Sequence, residues 1–173
     1  MKFLKGIFRK EFFKRDIATA ALGALIFSMI FSLAGFEAKC NELRNNILRL
    51  HIIANSDSEE DQFIKLEIRD KLLTASNGLF ESAGNKEQAI KTVNDNTDVF
   101  INAAQSVLKE YGKNQSVSID VGRAYFDTRE YENFTLPAGE YDAVRVLIGK
   151  AEGKNWWCVM FPSMCIPAAE KEH

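Results

Sequence analysis

A long uncharged segment near the N-terminus is the first feature of the hydropathy pattern. From Ile17 to Phe36 the chain reads IATAALGALIFSMIFSLAGF, twenty residues without a charged side chain. That is about the length that an α-helix needs to cross the hydrocarbon core of a membrane. The charged residues before it are mostly basic: Lys2, Lys5, Arg9, Lys10, Lys14 and Arg15, against Glu11 and Asp16. Because a basic flank stays in the cytoplasm, the pattern predicts that the rest of the chain is exported.

This segment has features of both a cleaved signal peptide and a retained anchor. Ser32-Leu33-Ala34 offers the small residues that a signal peptidase needs, but the apolar run is longer than a typical signal-peptide core. The sequence leaves both alternatives open. We therefore predict a basic N-terminus with a signal peptide or anchor in residues 1–36 and an exported domain in residues 37–173.

Beyond this segment the pattern predicts one strand followed by two helices. The run from Ile47 to Ala54 is rich in β-branched residues and is typical of a strand. Apolar residues at helical spacing predict a helix from Glu59 to about Ala75, and Ser56 with Glu59 has the spacing of a capping box. A second helix is predicted from Lys86 to Tyr111.

The last third of the chain changes to a period of two. Val117, Ile119 and Val121 alternate with polar residues, which indicates a half-buried strand. Two more strands are predicted from Tyr141 to Ile148 and from Asn155 to Phe161, with a hairpin loop at residues 151–154. The order β-α-α-β-β-β predicts an α+β fold, in which two helices cover one face of a mostly antiparallel sheet behind an N-terminal hydrophobic helix.

The charge balance changes once the N-terminal segment is set aside. The whole chain carries a net charge of −2, but the first 36 residues hold six basic and two acidic side chains. The other 137 residues carry 16 basic and 22 acidic side chains. A net acidic domain without clustered Lys and Arg is a poor candidate for binding nucleic acid.

The stretch GKNWWCVMFPSMC, from Gly153 to Cys165, allows three interpretations. Cys158 and Cys165 are candidates for a disulfide in an exported domain, with Cys40 left over. Cys158 is a candidate nucleophile if His51, on another predicted strand, lies beside it as a base. Trp156 and Trp157 are candidates for packing and partner contact, because successive strand residues face opposite sides and cannot share one core.

Other motifs favour a binding module over an enzyme. The acidic residues that follow Ala54 fit a helix cap and a solvated first turn better than a metal site. The sequence has no phosphate-binding glycine loop, no HExxH motif and no serine elbow. We therefore predict no catalytic residues, no metal, no cofactor and no small-molecule substrate.

Two long blocks carry a resemblance to a known family. LRLHIIANSDSEEDQFIKLEIRDKLL (Leu48 to Leu73), LPAGEYDAVRVLIGKAEGKNWWCVMFP (Leu136 to Pro162) and Cys165 together resemble the stage II sporulation protein R family of endospore-forming bacteria. Pro162-Ser163-Met164-Cys165 stands where the family usually has Pro-Pro-Leu-Cys. Many members also continue further beyond this cysteine.

The resemblance implies a signalling function. Family members are made in the forespore and exported into the space between the two sporulation membranes. There they activate a membrane-embedded aspartic protease of the mother cell, which processes the precursor of sporulation sigma factor E. This chain would then be a secreted or anchored activator that acts by contact.

The candidate contact residues come from two segments. Trp156 or Trp157 is expected to contact the protease, because an exposed tryptophan is a common interface hot spot. The polar block from the strand into the following helix is a second candidate face: Arg49, His51, Asn55, Asp57 and Asp61. The alternatives are a cell-envelope hydrolase that uses Cys158 with His51, and a membrane-anchored structural protein of the septum.

Overall fold

The computed structural model describes residues 2–76, 78–131 and 134–162. By internal packing the chain divides into two compact units, Met1–Asn41 and Glu42–His173. The secondary structure confirms the predicted α+β class. Its helices are α1 (Lys2–Asn46), α2 (Glu59–Ser76), α3 (Lys86–Asp95) and α4 (Thr97–Glu110), and its strands are β1 (Leu48–Ile53), β2 (Val117–Phe126), β3 (Arg129–Glu130), β4 (Thr135–Leu136), β5 (Gly139–Ile148) and β6 (Asn155–Phe161).

Helix α1 contains the apolar N-terminal segment. Within the described residues, its part from Asp16 to Asn46 is long and apolar enough to cross a membrane, with a mean hydropathy of 2.1 over its most apolar stretch. A signal segment near an N-terminus has the same length and composition. The helix therefore fits either a signal peptide or an anchor.

Strand β1 is central in a four-stranded sheet of order β2-β5-β1-β6. It runs parallel to β5 and antiparallel to β6, and β2 runs antiparallel to β5. The prediction of a hairpin at residues 151–154 was wrong, because β1 lies between β5 and β6. This loop instead bonds to the loop after β1: the amides of Glu152 and Gly153 donate to the carbonyls of Asn55 and Ala54 at 3.3 and 2.9 Å.

The predicted second helix is two helices that meet at Asn96. Its amide donates to the carbonyls of Thr92 and Val93, and its side-chain Nδ2 donates to Thr92 at 2.8 Å. The surrounding run Asn94-Asp95-Asn96-Thr97 consists of residues whose short polar side chains compete for backbone hydrogen bonds. Helical periodicity continues on both sides of this break, so the apolar pattern alone predicted one helix.

The capping of α2 also differs from the prediction. The helix begins at Glu59, and Ser58 Oγ accepts a hydrogen bond from the amide of Asp61 at 3.2 Å. Ser58 is therefore the N-cap residue, in place of Ser56. Ser56 instead donates its hydroxyl to the Asp61 carboxylate at 2.5 Å.

The two faces of the sheet pack against different layers. On one face the helices α2–α4 and the sheet enclose the main core, which includes Leu48, Leu50, Ile52, Ile64, Ile68, Phe100 and Val146. On the other face lies a second cluster, whose buried members are Ile47, Phe126, Tyr131, Leu136, Tyr141, Ala143 and Val159. Both layers cover strands β1 and β6. Alternate residues of these strands therefore enter different apolar environments.

Candidate functional site

Strand β6 sends its two tryptophans to opposite faces of the sheet. Trp156 lies opposite Ile52 of β1 and packs against the main core. Trp157 lies opposite His51 and packs against the second cluster. Both side chains are partly buried. The prediction that the two rings cannot share one core is confirmed.

Trp156 meets a charged side chain from helix α2. The guanidinium carbon of Arg69 lies 4.5 Å from the centre of the indole ring, within cation–π distance. Arg69 also forms two hydrogen bonds to Asp70, at 2.7 and 2.8 Å. The ring is therefore held between the apolar core and a salt-bridged arginine.

Trp157 belongs to an aromatic stack on the opposite face. Its ring stacks on His51 with centroids 3.8 Å apart and an interplanar angle of 15°. It meets the ring of Phe126 edge to face at 4.8 Å. Arg129 lies 5.8 Å above the indole. These contacts give the second tryptophan a layer of its own.

His51 is a buried partner of this stack. Its side chain is 8% exposed, and Nε2 lies 2.9 Å from Asn155 Oδ1. Burial lowers the pKa of His51 below its usual value, and the hydrogen bond to Asn155 does not offset that effect. The imidazole is therefore neutral over a wider pH range than a solvated histidine.

The structure contradicts the alternative in which His51 serves Cys158 as a base. Cys158 lies opposite Leu50 and is buried in the main core. His51 points to the other face, where it stacks on Trp157. The sheet itself separates thiol and imidazole, so they form no nucleophile–base pair. Cys165, the predicted disulfide partner of Cys158, lies outside the described residues.

Arg49 is the most deeply buried charged residue of the candidate block. Its side chain is 0% exposed, and its guanidinium carbon lies 3.9 Å from the centre of the Phe126 ring and 5.0 Å from that of Tyr141. Nη2 donates a hydrogen bond to the hydroxyl of Tyr131 at 2.9 Å. Burial is the main reason that the pKa of Arg49 falls below its usual value.

The remaining residues of the block stabilise the junction between two loops. Asn55 Nδ2 donates to the Asp61 carboxylate at 2.8 Å, and Asn55 Oδ1 accepts from the amide of Lys150 at 3.1 Å. Asp57 Oδ1 accepts from the amide of Lys154 at 2.7 Å. These side chains therefore fix the β5–β6 loop against the start of α2. That they also contact a partner stays a prediction.

The electrostatics of this junction favour an ionised Asp61. Burial alone would raise its pKa, but hydrogen bonds from Asn55 and Ser56 and the charge of Lys113 lower it below the usual value. Across the described ranges of the chain, no group of three or more His, Cys, Asp or Glu side chains is placed to hold a metal ion.

Comparison with known proteins identifies the family. The family model for stage II sporulation protein R matches residues 44–171. The chain belongs to this family. It is also 36% identical over 118 residues to stage II sporulation protein R of Bacillus subtilis strain 168, an alignment that covers 68% of this chain and 53% of that relative. The chain thus spans about half the length of the relative it matches, and no solved structure matches it.

Membership in the stage II sporulation protein R family gives the protein a role in sporulation. The segments that carry the resemblance form three adjacent strands, β5, β1 and β6, together with helix α2. They include both tryptophans and the whole Arg49–Asp61 block. The resemblance therefore covers the two central strands of the sheet and the edge strand β6.

Sequence reasoning missed the second cluster. Three aromatic residues surround Arg49, and they come from distant elements: Phe126 from β2, Tyr141 from β5 and Tyr131 from the segment between β3 and β4. One signal was available: Arg49 and His51 alternate with three aliphatic residues on a strand, so both must point to the same face. A polar pair on one face of an otherwise apolar strand indicates a second layer with its own partners.

Proposed function

We propose that this protein is an exported sporulation signal that activates the membrane-embedded aspartic protease of the mother cell. That protease processes the precursor of sporulation sigma factor E, and the protein acts on it by contact. The observation that carries the proposal is the match of residues 44–171 to the stage II sporulation protein R family. The apolar helix near the N-terminus supports it, because export across the forespore membrane needs a signal or anchor segment.

A role by contact agrees with the chemistry of the candidate site. His51 and Cys158, the pair with the clearest catalytic potential in the sequence, lie on opposite faces of the sheet. The polar side chains of Asn55, Asp57 and Asp61 are engaged in hydrogen bonds that shape two loops. The site thus resembles a rigid, shaped surface more than a reaction centre.

The partly buried tryptophans are our candidates for the contact with the protease. Interface hot spots are enriched in tryptophan, which buries a large area at a low entropic cost. Trp156 and Trp157 each keep part of the ring accessible, and each is held by packing on its own face. Because the rings face opposite ways, one flat interface would engage one of them.

The test is a reconstitution in a host that does not form spores. The full chain is co-expressed with the aspartic protease and the precursor of sigma factor E, and cleavage of the precursor is followed on a blot. A matched control lacks residues 1–36 and so stays in the cytoplasm. We expect cleavage with the full chain and none with the control.

Two results bear on different parts of the proposal. Cleavage by the control as well as by the full chain would contradict the need for export. No cleavage, with the full chain shown to be exported and to have the β-sheet circular dichroism of the folded protein, would contradict protease activation and leave only the sporulation role that family membership gives.

A further inference from the structure

Arg49 is a fully buried cation with unused hydrogen-bond donors. A guanidinium carries five N–H donors. One bond, to the hydroxyl of Tyr131, uses Nη2, whereas Nε and Nη1 are buried and have no hydrogen-bond partner among the residues that the structure describes. Buried donors are nearly always paired, because an unpaired one loses its bond to water and gains nothing. The described part of the chain therefore leaves two nitrogens of this guanidinium available to a ligand.

The described residues also provide no counter-ion for Arg49. Among the residues that the structure describes, no Asp or Glu forms an ion pair with Arg49. Its neighbours are the rings of Phe126 and Tyr141, at 3.9 and 5.0 Å, and a second cation, Arg129, whose charge lowers the pKa of Arg49 further. A buried charge normally has a counter-ion, since removing it from water is costly.

The surroundings specify the chemistry that would complete the site. The second N–H of Nη2 forms a planar fork with either Nε–H or Nη1–H, and such a fork matches the two oxygens of a carboxylate better than it matches a single neutral acceptor. The aromatic walls exclude water and so strengthen any ionic hydrogen bond formed there. Arg129, on strand β3, adds positive potential around the same site.

We propose that Arg49 is a receptor for a carboxylate, which binds within the second cluster beside the hydroxyl of Tyr131. The carboxylate belongs either to a small free acid or to an acidic side chain of a bound protein. In both cases the same donors hold it, so one probe tests the site and a second probe distinguishes the source.

Formate is the first probe because it is the smallest carboxylate. Because Arg49 is 0% exposed, we expect formate to enter during native-state fluctuations that open local structure. The full chain, in non-ionic detergent, is unfolded with urea in sodium formate or in sodium chloride at equal ionic strength. Tryptophan fluorescence reports the transition, since the two tryptophans of the chain both lie on β6.

The expected result is a saturable stabilisation by formate. Ligand at a hundred times its dissociation constant lowers the unfolding equilibrium constant about a hundredfold. Arg49→Met, which keeps an unbranched side chain but removes the guanidinium and its charge, should abolish the response. The matched control is Arg123→Met, which removes an arginine from the exposed side of the edge strand β2 and should leave the response intact.

Two outcomes would overturn the proposal: equal stability of the unaltered protein in formate and chloride, or a formate response that survives in Arg49→Met. If Arg49→Met does not fold, Arg49→Lys retains the charge but not the fork, and it should lose most of the response. A full response in Arg49→Lys would then contradict a site built on the guanidinium geometry.

The source of the carboxylate is then distinguished with two capped amino acids. N-acetylglutamate methylamide presents an acidic side chain, and N-acetylglutamine methylamide is its neutral match. Stabilisation by formate and by the glutamate compound, but not by the glutamine compound, identifies an acidic protein side chain as the ligand. Stabilisation by formate but by neither capped amino acid identifies a small free carboxylate.

Discussion

Trp157→Ala should lower the free energy of unfolding by about 2–4 kcal/mol. A fully buried tryptophan removes roughly 150–250 Å² from water, which at ~25 cal/mol per Å² gives an upper bound of about 4–6 kcal/mol. Trp157 is only partly buried, but its stack on His51 and its edge contact with Phe126 add about 0.5–1.5 kcal/mol each. Truncating Trp157 to alanine therefore lowers the free energy of unfolding less than truncating a fully buried tryptophan would, but far more than truncating an exposed one.

The measurement is urea unfolding of the full chain in non-ionic detergent, followed by circular dichroism so that the loss of one tryptophan does not alter the signal. Trp156→Ala is the matched variant on the opposite face, and we expect a loss of similar size. A loss below about 1 kcal/mol for Trp157→Ala would refute the conclusion that its ring is part of the second cluster.

Phenylalanine variants separate packing from partner contact. Trp157→Phe keeps an aromatic ring against His51 and Phe126 and should cost only about 1–1.5 kcal/mol. In the reconstitution, Trp157→Phe and Trp156→Phe should both be exported at normal levels, but one of them should support much less cleavage of the sigma factor precursor. If both support normal cleavage, neither indole contacts the protease.

Three further predictions concern single interactions of the fold. Burial lowers the pKa of His51, so the unfolded chain binds more protons below about pH 6.5 and stability should fall as the pH drops from there; His51→Gln should flatten this part of the pH profile of unfolding. Asp61→Asn should lower the free energy of unfolding by about 1–2 kcal/mol at neutral pH. Because the pKa of Asp61 is lowered, the unaltered protein should lose stability as the pH falls below about 4, and the variant should lose less over that range. Gly153→Ala should cost more than about 2 kcal/mol in thermal unfolding, because its Cβ would lie 2.6 Å from the carbonyl carbon of Ser56; Gly122→Ala, whose nearest neighbour would be 3.9 Å away, should be nearly neutral.

The elements of this fold could be predicted where one local rule dominates. Strand β6 was predicted from Asn155 to Phe161 and has those bounds, because a short apolar run follows a polar loop there. The opposite orientation of its two tryptophans follows from the alternation of side chains along any strand. The break at Asn96 was missed because the apolar stripe continues across it, and the competing side-chain hydrogen bond is a weaker signal.

Strand pairing and the second cluster could not be predicted in this way. The hairpin between β5 and β6 was the expected local pairing, but β1 inserts between them and pairs in parallel with β5. That choice depends on contacts across about a hundred residues, such as the bond from Lys154 to Asp57. The burial of Arg49 opposes the general tendency of arginine to be exposed, and the aromatic residues that surround it come from distant parts of the chain.

The location of the family resemblance affects where a partner surface should be sought. The matching blocks include the two central strands, β5 and β1, and the edge strand β6, and several of their apolar side chains, such as Leu50 and Val146, are buried in the main core. These residues define the fold, and substituting them would unfold the domain. Only side chains that are both held by this scaffold and partly accessible can report contact independently of stability. Trp156 and Trp157 meet both conditions, which is why conservative phenylalanine variants at these two positions test the signalling mechanism more sharply than any change in the core.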